Sequence, residues 1–153
     1  MPYLLREARL EDAPVLADLS DELGYPSDAA AVARRLRDLA TQPGNAVLVA
    51  VSGEGEVAGW VHVFATHRVE SDGFAEIGGL VVRETLRGEG IGRMLVEAAE
   101  AWAREAGFVE VRVRSNVVRE ATHRFYDHLG YATTKQQQVF TKSIEVRGMG
   151  QRV

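Results

Sequence analysis

Hydrophobic residues recur along the chain with two different spacings. A spacing of three to four residues, typical of an amphipathic helix, follows Asp12, Ser27 and Gly90 and also covers about residues 118–129. The stretches with an alternating pattern, typical of a half-buried strand, are residues 3–9, 46–51, 57–64, 74–82, 108–114 and 131–142. The resulting order, β-α-α-β-β-β-α-β-α-β, predicts a mixed α/β fold with about four helices.

Glycines and capping residues separate these stretches. Asp12 is expected to cap the first helix, Gly24 to end it, and Ser27 to cap the second helix. Residues 74–114 have the strand–helix–strand order of a parallel crossover connection. The chain shows no internal repeat and no linker, so we predict a single domain over residues 1–153 with a frayed tail from residue 143.

Composition narrows the class of protein. The 153 residues include no cysteine, which excludes a disulfide framework, a thiolate metal site and a cysteine nucleophile. The net charge of −4 argues against a general nucleic-acid binder, which would carry a basic excess. No apolar run approaches the roughly 18 residues of a membrane span, and the first residues lack the pattern of a secretory signal. We therefore expect a cytoplasmic protein with no membrane or nucleic-acid partner.

The most informative stretch lies where the predicted strand 74–82 ends and the next helix begins. It reads Arg87-Gly88-Glu89-Gly90-Ile91-Gly92-Arg93. Three closely spaced glycines leave backbone N–H groups uncovered, and the helix start adds unpaired N–H groups and the positive end of its dipole. Such a turn is suited to binding a phosphate or a diphosphate. Arg83, Arg87 and Arg93 bracket the turn and are candidates for further contacts to the same anion.

Two other phosphate-binding loops have different patterns. A P-loop needs a Gly-Lys pair, and the chain has none. The dinucleotide fingerprint G-x-G-x-x-G has Arg93 at its third glycine position, although Glu110 lies at a suitable distance for a ribose contact. A glycine-rich connection with solvated arginines is the alternative that needs no ligand.

Two motifs in this chain resemble those of the GNAT (GCN5-related) N-acetyltransferases. Residues 87–92 match the family's R/Q-x-x-G-x-G/A signature. Asn116, Arg119, the Phe125-Tyr126 pair and the Gly130-Tyr131 pair have a spacing that resembles the family's second motif. The resemblance covers roughly residues 3–142.

The resemblance implies a fold and a cofactor. The fold is a mixed, mostly antiparallel central sheet with a parallel β-α-β crossover at the cofactor site. The cofactor is acetyl-CoA, held by backbone N–H groups of Arg87, Gly88, Glu89, Gly90, Ile91, Gly92 and Arg93. The strand end Leu80-Val81-Val82 is implied to separate from its neighbour, so that the pantetheine arm pairs with its free backbone groups. The Gly78-Gly79 pair fits such a distortion and fits a packing bulge equally well.

The resemblance also points to Tyr126 and Asn116 as contacts of the thioester arm. Tyr126 would act as a general acid that protonates the departing thiolate, since a phenol can donate to sulfur. Judged without the family motif, it is a half-buried aromatic residue whose hydroxyl meets water. Asn116 would hydrogen-bond the cofactor arm, serve as a helix N-cap, or do both.

The general base has two side-chain candidates, and the resemblance leaves an ordered water without a dedicated base as the alternative. Glu76 lies in the apolar run 74–77. Its position resembles that of the glutamate base in the histone-acetylating branch of the family. The alternative is that Glu76 faces solvent on the polar side of the strand. His62, on the preceding strand, is the second candidate. The histidines show no metal-ligand spacing, so no metal is expected. Without a cysteine or a G-x-S-x-G elbow, direct transfer in a ternary complex is the simplest mechanism.

The expected acceptor is a primary amine of a small molecule or a peptide. In this family the acceptor pocket is built largely from the loop after the first helix, here residues 23–26, and from the loop 67–73. Acidic residues near these loops either attract a cationic amine or form a solvated face. They are Asp18, Asp21, Glu22, Glu70 and Asp72. A homodimer that pairs through the strand 131–142 is a further expectation.

Two functions of other classes remain as alternatives. A non-catalytic acyl-CoA sensor or binding module would bind the cofactor and release no thiol with any amine. A nicotinamide-dinucleotide domain would use Gly88 and Gly90 and would prefer NAD to CoA.

Overall fold

Five apolar stretches form one sheet in the computed structural model, which describes residues 3–114 and 120–145. The strands are β1 (Leu4–Glu7), β2 (Asn45–Val51), β3 (Val57–Thr66), β4 (Phe74–Val82) and β5 (Val111–Val113). They lie in chain order across the sheet. Neighbours from β1 to β4 are antiparallel, whereas β5 joins β4 in parallel.

Four α-helices accompany the strands in the described part of the chain. They are α1 (Ala13–Glu22), α2 (Ala29–Ala40), α3 (Ile91–Glu105) and α4 (Glu120–His128). The helix α3 connects β4 to β5, as a parallel pair requires. The prediction of a mixed, mostly antiparallel sheet with one parallel crossover and about four helices is confirmed.

The chain divides into two units, residues 1–114 and residues 115–153. The first contains the sheet with α1, α2 and α3, and the second contains α4. The single domain that the sequence predicts over residues 1–153 therefore stays a prediction. Among the described residues, no helix has both the length and the apolar character needed to cross a membrane.

The sheet of the first unit buries apolar side chains on both faces. On one face, Leu16 and Leu19 of α1 pack with Val49, Val57 and Val81 of the strands. On the other face, Leu95 of α3 packs so closely on β3 that a Cβ added to Gly59 would lie 3.1 Å from its Cδ1 atom. Burying a leucine side chain in this way contributes about 1.5–3 kcal/mol. This two-sided burial explains why consecutive residues are buried in β3, at Val57–Gly59, and in β4, at Phe74–Ile77.

The two predicted caps have different outcomes. Asp12 stands at the N-cap position of α1, but its carboxylate accepts hydrogen bonds from the Arg6 guanidinium at 2.8 and 3.0 Å and from the Arg9 N–H at 2.7 Å. The hydrogen bonds from Arg6 are the main cause that lowers the pKa of Asp12. The cap of α2 is Asp28, which accepts from the Ala31 N–H at 2.7 Å, so the prediction of Ser27 as the cap is wrong.

The last predicted strand, over residues 131–142, is also wrong. No strand is formed between residues 131 and 145, and the apolar side chains of Val139 and Phe140 are 84% and 89% exposed. The polar run 133–138 interrupts the alternation, and a strand needs a partner for its backbone groups. The homodimer that the sequence predicts through this segment stays a prediction. Similarly, β5 covers three residues where the alternation predicted seven.

Candidate functional site

The glycine turn forms where the sequence places it, between β4 and α3. After β4, a single 3₁₀ turn (Glu84–Leu86) leads to Gly88 and Gly90, both with φ of +87°, and Gly90 is the N-cap residue of α3. A Cβ atom added at either glycine would meet nothing within 4 Å. Glycine is needed here because of the left-handed backbone and not because of crowding. The main chain of this turn is consequently exposed to solvent.

Unpaired N–H groups collect at this turn. Met94 donates the first hydrogen bond of α3, to the Gly90 carbonyl at 3.1 Å. The N–H groups of Ile91, Gly92 and Arg93 precede it, so they have no acceptor inside the helix. Together with the positive end of the helix dipole, they create a site for an anion.

The arginines around the turn are not equivalent. Arg83 pairs with Glu22 at 3.3 Å, and Arg93 pairs with Glu97 at 3.4 Å. Arg87 is exposed and has no carboxylate partner among the described residues. Its guanidinium is therefore available to an anion without first breaking an ion pair.

A second feature of β4 is a bulge at Gly78. In the pairing with β3, His62 lies opposite Gly79 and Val63 opposite Ile77, so Gly78 is the extra residue. A Cβ atom would lie 2.5 Å from the Phe64 ring at Gly78 and 2.7 Å from the Trp60 ring at Gly79. The two glycines thus serve a bulge and the close approach of two aromatic rings, as the packing-bulge alternative requires. A role of this bulge in freeing the strand end for a cofactor arm stays a prediction.

Beyond this bulge, β4 continues without β5 beside it. The parallel pairing covers Ala75 to Ile77 of β4 and ends with Val113, the last residue of β5. The strand end Leu80-Val81-Val82 still pairs with β3 on its other side. In the described part of the chain, its outer backbone groups have no strand partner. Such free groups can pair with an added strand or with an extended ligand.

Glu76 lies on β4 just before the bulge and is buried, with 6% of its surface exposed. One carboxylate oxygen accepts a hydrogen bond from the Thr66 hydroxyl at 3.1 Å, and the other from the Arg114 guanidinium at 2.8 Å. The side chain is therefore not the solvent-facing residue that the sequence allowed. The sequence analysis missed Thr66 and Arg114 because their spacing from Glu76 carries no pattern.

His62, the second base candidate, lies on β3 opposite Gly79. Burial lowers the pKa of its imidazole. Its ring contacts Phe64 at a centroid distance of 5.1 Å, and its Nε2 atom is buried with no hydrogen-bond partner among the described residues. The imidazole is consequently neutral near pH 7.

Tyr126 belongs to the second unit, where it lies on α4 and is 9% exposed. The edges of Phe125 and Tyr131 approach its ring at centroid distances of 5.0 and 5.6 Å. Burial raises the pKa of the Tyr126 phenol to about 12, so it remains protonated at neutral pH. Asn116, the other predicted contact of the thioester arm, lies outside the described residues.

The acidic residues near the predicted acceptor loops are partly engaged by arginines. Glu22 accepts hydrogen bonds from Arg83 and from the Glu84 N–H at 2.9 Å, and Glu70 lies 3.9 Å from Arg68. Their charge is thus partly neutralised. This favours a solvated face with ion pairs over a site that attracts a cationic amine. Within residues 3–114 and 120–145, no group of three or more His, Asp or Glu side chains has metal-binding geometry.

Comparisons with known proteins agree with this arrangement. The model of the Acetyltransferase (GNAT) family matches residues 12–131. The chain is 29% identical to an aminoglycoside N(6')-acetyltransferase type 1 from Stenotrophomonas maltophilia over 145 residues, which cover 92% of this chain and 94% of that protein. It is 35% identical to an aminoalkylphosphonate N-acetyltransferase from Salmonella typhimurium over 91 residues, which cover 59% of this chain and 58% of that protein.

A solved structure shares the fold. AAC(6')-Iy, in complex with the bisubstrate analogue CoA-S-monomethyl-acetylneamine, superposes with a TM-score of 0.83 at 16% identity. The match covers 94% of this chain and all of that one. Since the family model spans most of the chain and the sheet topology agrees with it, the protein belongs to the GNAT family of N-acetyltransferases and is an acyltransferase.

Proposed function

We propose that this protein transfers an acetyl group from acetyl-CoA directly to a primary amine of a small molecule or a peptide. One observation carries the proposal: an uncovered glycine turn at the start of α3 adjoins a strand end that has no outer strand partner within residues 3–114 and 120–145. A diphosphate joined to an extended amide-containing arm has the chemistry that such a pair of features binds.

The residues of the first unit fit that cosubstrate. We infer that the N–H groups of the turn residues 87–93 bind the pyrophosphate, with Arg87 adding a charge-assisted contact. The outer backbone groups of Leu80, Val81 and Val82 pair with the pantetheine arm. An N–H of the same strand end polarises the thioester carbonyl. When bound, acetyl-CoA supplies the activated acetyl group.

Proton transfers are assigned to individual side chains. We propose that Glu76 accepts the proton of the acceptor ammonium, directly or through a water molecule. Its ion pair with Arg114 holds the carboxylate in a fixed orientation. We propose Tyr126 as the donor to the departing sulfur and Asn116 as a further contact of the arm. With a pKa of about 12, the phenol acts at neutral pH as a protonated hydrogen-bond donor.

The acceptor is proposed by chemical class. Relatives named for aminoglycoside and aminoalkylphosphonate N-acetylation support a small-molecule amine. The proposal includes a peptide amine, because most residues of the loops 23–26 and 67–73 are exposed.

A thiol-release assay tests the function. The full chain is incubated with acetyl-CoA and a panel of aminoglycosides, aminoalkylphosphonates, amino carboxylates, alkylamines and lysine peptides. Binding of acetyl-CoA is measured by calorimetry in parallel. We expect micromolar to millimolar binding and amine-dependent thiol release.

The outcomes separate the alternatives. Failure to bind acetyl-CoA refutes the proposal, and tighter binding of NAD than of CoA supports a dinucleotide domain. Binding without thiol release from any amine supports a non-catalytic acyl-CoA-binding module.

A further inference from the structure

A cavity lies between the helices α1 and α2 and one face of the sheet. Its volume is about 190 Å³, and it opens to solvent. The apolar part of its lining includes Leu16, Val32, Leu36, Leu39 and Val47. Pockets for drug-sized ligands hold roughly 300–1,000 Å³, so this cavity suits a smaller molecule.

The cavity has a cation and no anion in its lining. Arg35 of α2 contributes to the wall, and its guanidinium donates to the Ser27 hydroxyl at 3.2 Å. Arg35 has no carboxylate partner among the described residues, and none of the cavity's lining residues is acidic. An apolar ligand with an anionic group matches this wall, whereas a polycation does not.

The opposite wall contains two aromatic residues with unpaired nitrogens. Trp60 and His62 of β3 line the cavity, and their Nε1 and Nε2 atoms are buried without hydrogen-bond partners among the described residues. Since both nitrogens are covered by protein atoms, these two residues add apolar wall to the cavity and no polar anchor.

The same wall adjoins the proposed cofactor strand. Trp60 lies opposite Val81 and His62 opposite Gly79, so paired side chains project from the same face of the sheet. Val81 belongs to the strand end Leu80-Val81-Val82, to which we assign the thioester arm. A ligand anchored at Arg35 therefore extends across the apolar lining towards the acetyl donor.

We propose that this cavity binds the acceptor, and that the acceptor is a small amine with an apolar body and an anionic group at the end away from the amine. The role of this ligand as the molecule that receives the acetyl group rests on the proposed acetyltransferase function. The class of ligand itself follows from the cavity alone.

Binding is tested without acetyl-CoA. Calorimetry compares a series of ω-amino carboxylates with n-alkylamines of the same chain length and with an aminoglycoside. We expect at least one amino carboxylate to bind about tenfold more tightly than its alkylamine, the gain expected from one charge-assisted hydrogen bond. The variant Arg35→Gln should abolish that difference. The matched control Arg34→Gln, on the same helix but outside the cavity lining, should keep it.

Turnover provides the second readout. With saturating acetyl-CoA, Arg35→Gln should raise the KM of the amino carboxylate about tenfold and leave kcat unchanged. The inference is overturned if no amino carboxylate binds, if the alkylamine or the aminoglycoside binds equally tightly, or if Arg35→Gln changes nothing. Arg35-dependent binding without thiol release from any amine supports the ligand class and refutes the acetyltransferase proposal instead.

Discussion

Arg114, the first residue after β5, donates from its Nη1 atom to the Oε2 atom of Glu76 on β4 at 2.8 Å. The register places Glu76 beside Arg112, so Arg114 reaches back along β5 by two residues. This contact ties the end of β5 to β4 at the point where the two strands stop pairing. Glu76 is therefore both a candidate base and a structural anchor, and the two roles predict different results.

The pair Glu76→Gln and Arg114→Gln separates these roles. If Glu76 is the base, Glu76→Gln lowers kcat by about 10²- to 10⁴-fold, while Arg114→Gln, which keeps the carboxylate, lowers it much less. Rates at saturating acetyl-CoA measure this, with thermal unfolding as the check on folding. Equal losses of kcat in both variants would show that Glu76 acts by anchoring β5.

Replacing Tyr126 by phenylalanine keeps the packing and removes the hydroxyl. We expect kcat to fall by about 10- to 100-fold with little change in the KM for acetyl-CoA. Because the pKa of Tyr126 is about 12, the phenol loses its proton only above the working range. Between pH 7 and 10, the loss of this proton should therefore not lower the rate. The pH profiles of the wild-type protein and of Tyr126→Phe should have the same shape over this range. An unchanged kcat in the variant would exclude Tyr126 from the chemistry.

The substitution Gly90→Ala tests the anion site through its backbone. Since φ is +87° and the added Cβ meets no atom, the cost is backbone strain of roughly 1–2 kcal/mol in the free energy of unfolding. Gly55→Ala is a matched control, because Gly55 has the same φ and the same open surroundings in the turn between β2 and β3. We expect similar losses of stability in both variants and weaker acetyl-CoA binding in Gly90→Ala alone. Equal affinities in calorimetry would contradict a cofactor role for this turn.

Gly79 is constrained by crowding. Gly79→Ala brings a methyl group to about 2.7 Å from the Trp60 ring, which must move. We expect a loss of about 1–3 kcal/mol in the free energy of unfolding, measured by denaturant titration. In a protein that already carries Trp60→Leu, the substitution Gly79→Ala should cost less stability than it does in the wild-type protein. An additive result would mean that the two residues are not coupled.

The depressed pKa of His62 predicts a change of stability with pH. The unfolded chain binds a proton at His62 near pH 6.5, whereas the folded chain binds it only at lower pH because burial disfavours the charged ring. The contribution of neutral His62 to the free energy of unfolding is therefore complete above pH 6.5. It is lost as the pH falls through the pKa of His62 in the folded protein. Denaturant titrations from pH 7.5 to about 5 should show a smaller decline in His62→Phe than in the wild-type protein. Parallel curves would remove His62 as the cause.

Local patterns were sufficient for much of the fold. The alternation in residues 57–64 and 74–82 predicted β3 and β4, and the glycines at 88 and 90 predicted the turn before α3. These features depend on neighbours in the chain, namely backbone conformation and the period of side-chain burial. Alternation alone failed for residues 131–142, because a strand also needs a partner that no local pattern can provide.

Residues adjacent in the chain are enough to fix a strand that ends in an exposed glycine turn at a helix start, because glycine's freedom at positive φ and the unpaired N–H groups of a helix are properties of a few consecutive residues. Long-range packing, in contrast, sets the contacts of Arg114 and Thr66 with Glu76, the end of β5 before Leu80, and the cavity that Arg35 shares with Trp60 and His62. Those relationships join residues that are far apart in the chain. Their geometry is set by the packing of α1, α2 and β3 and by strand register, which depend on the whole core.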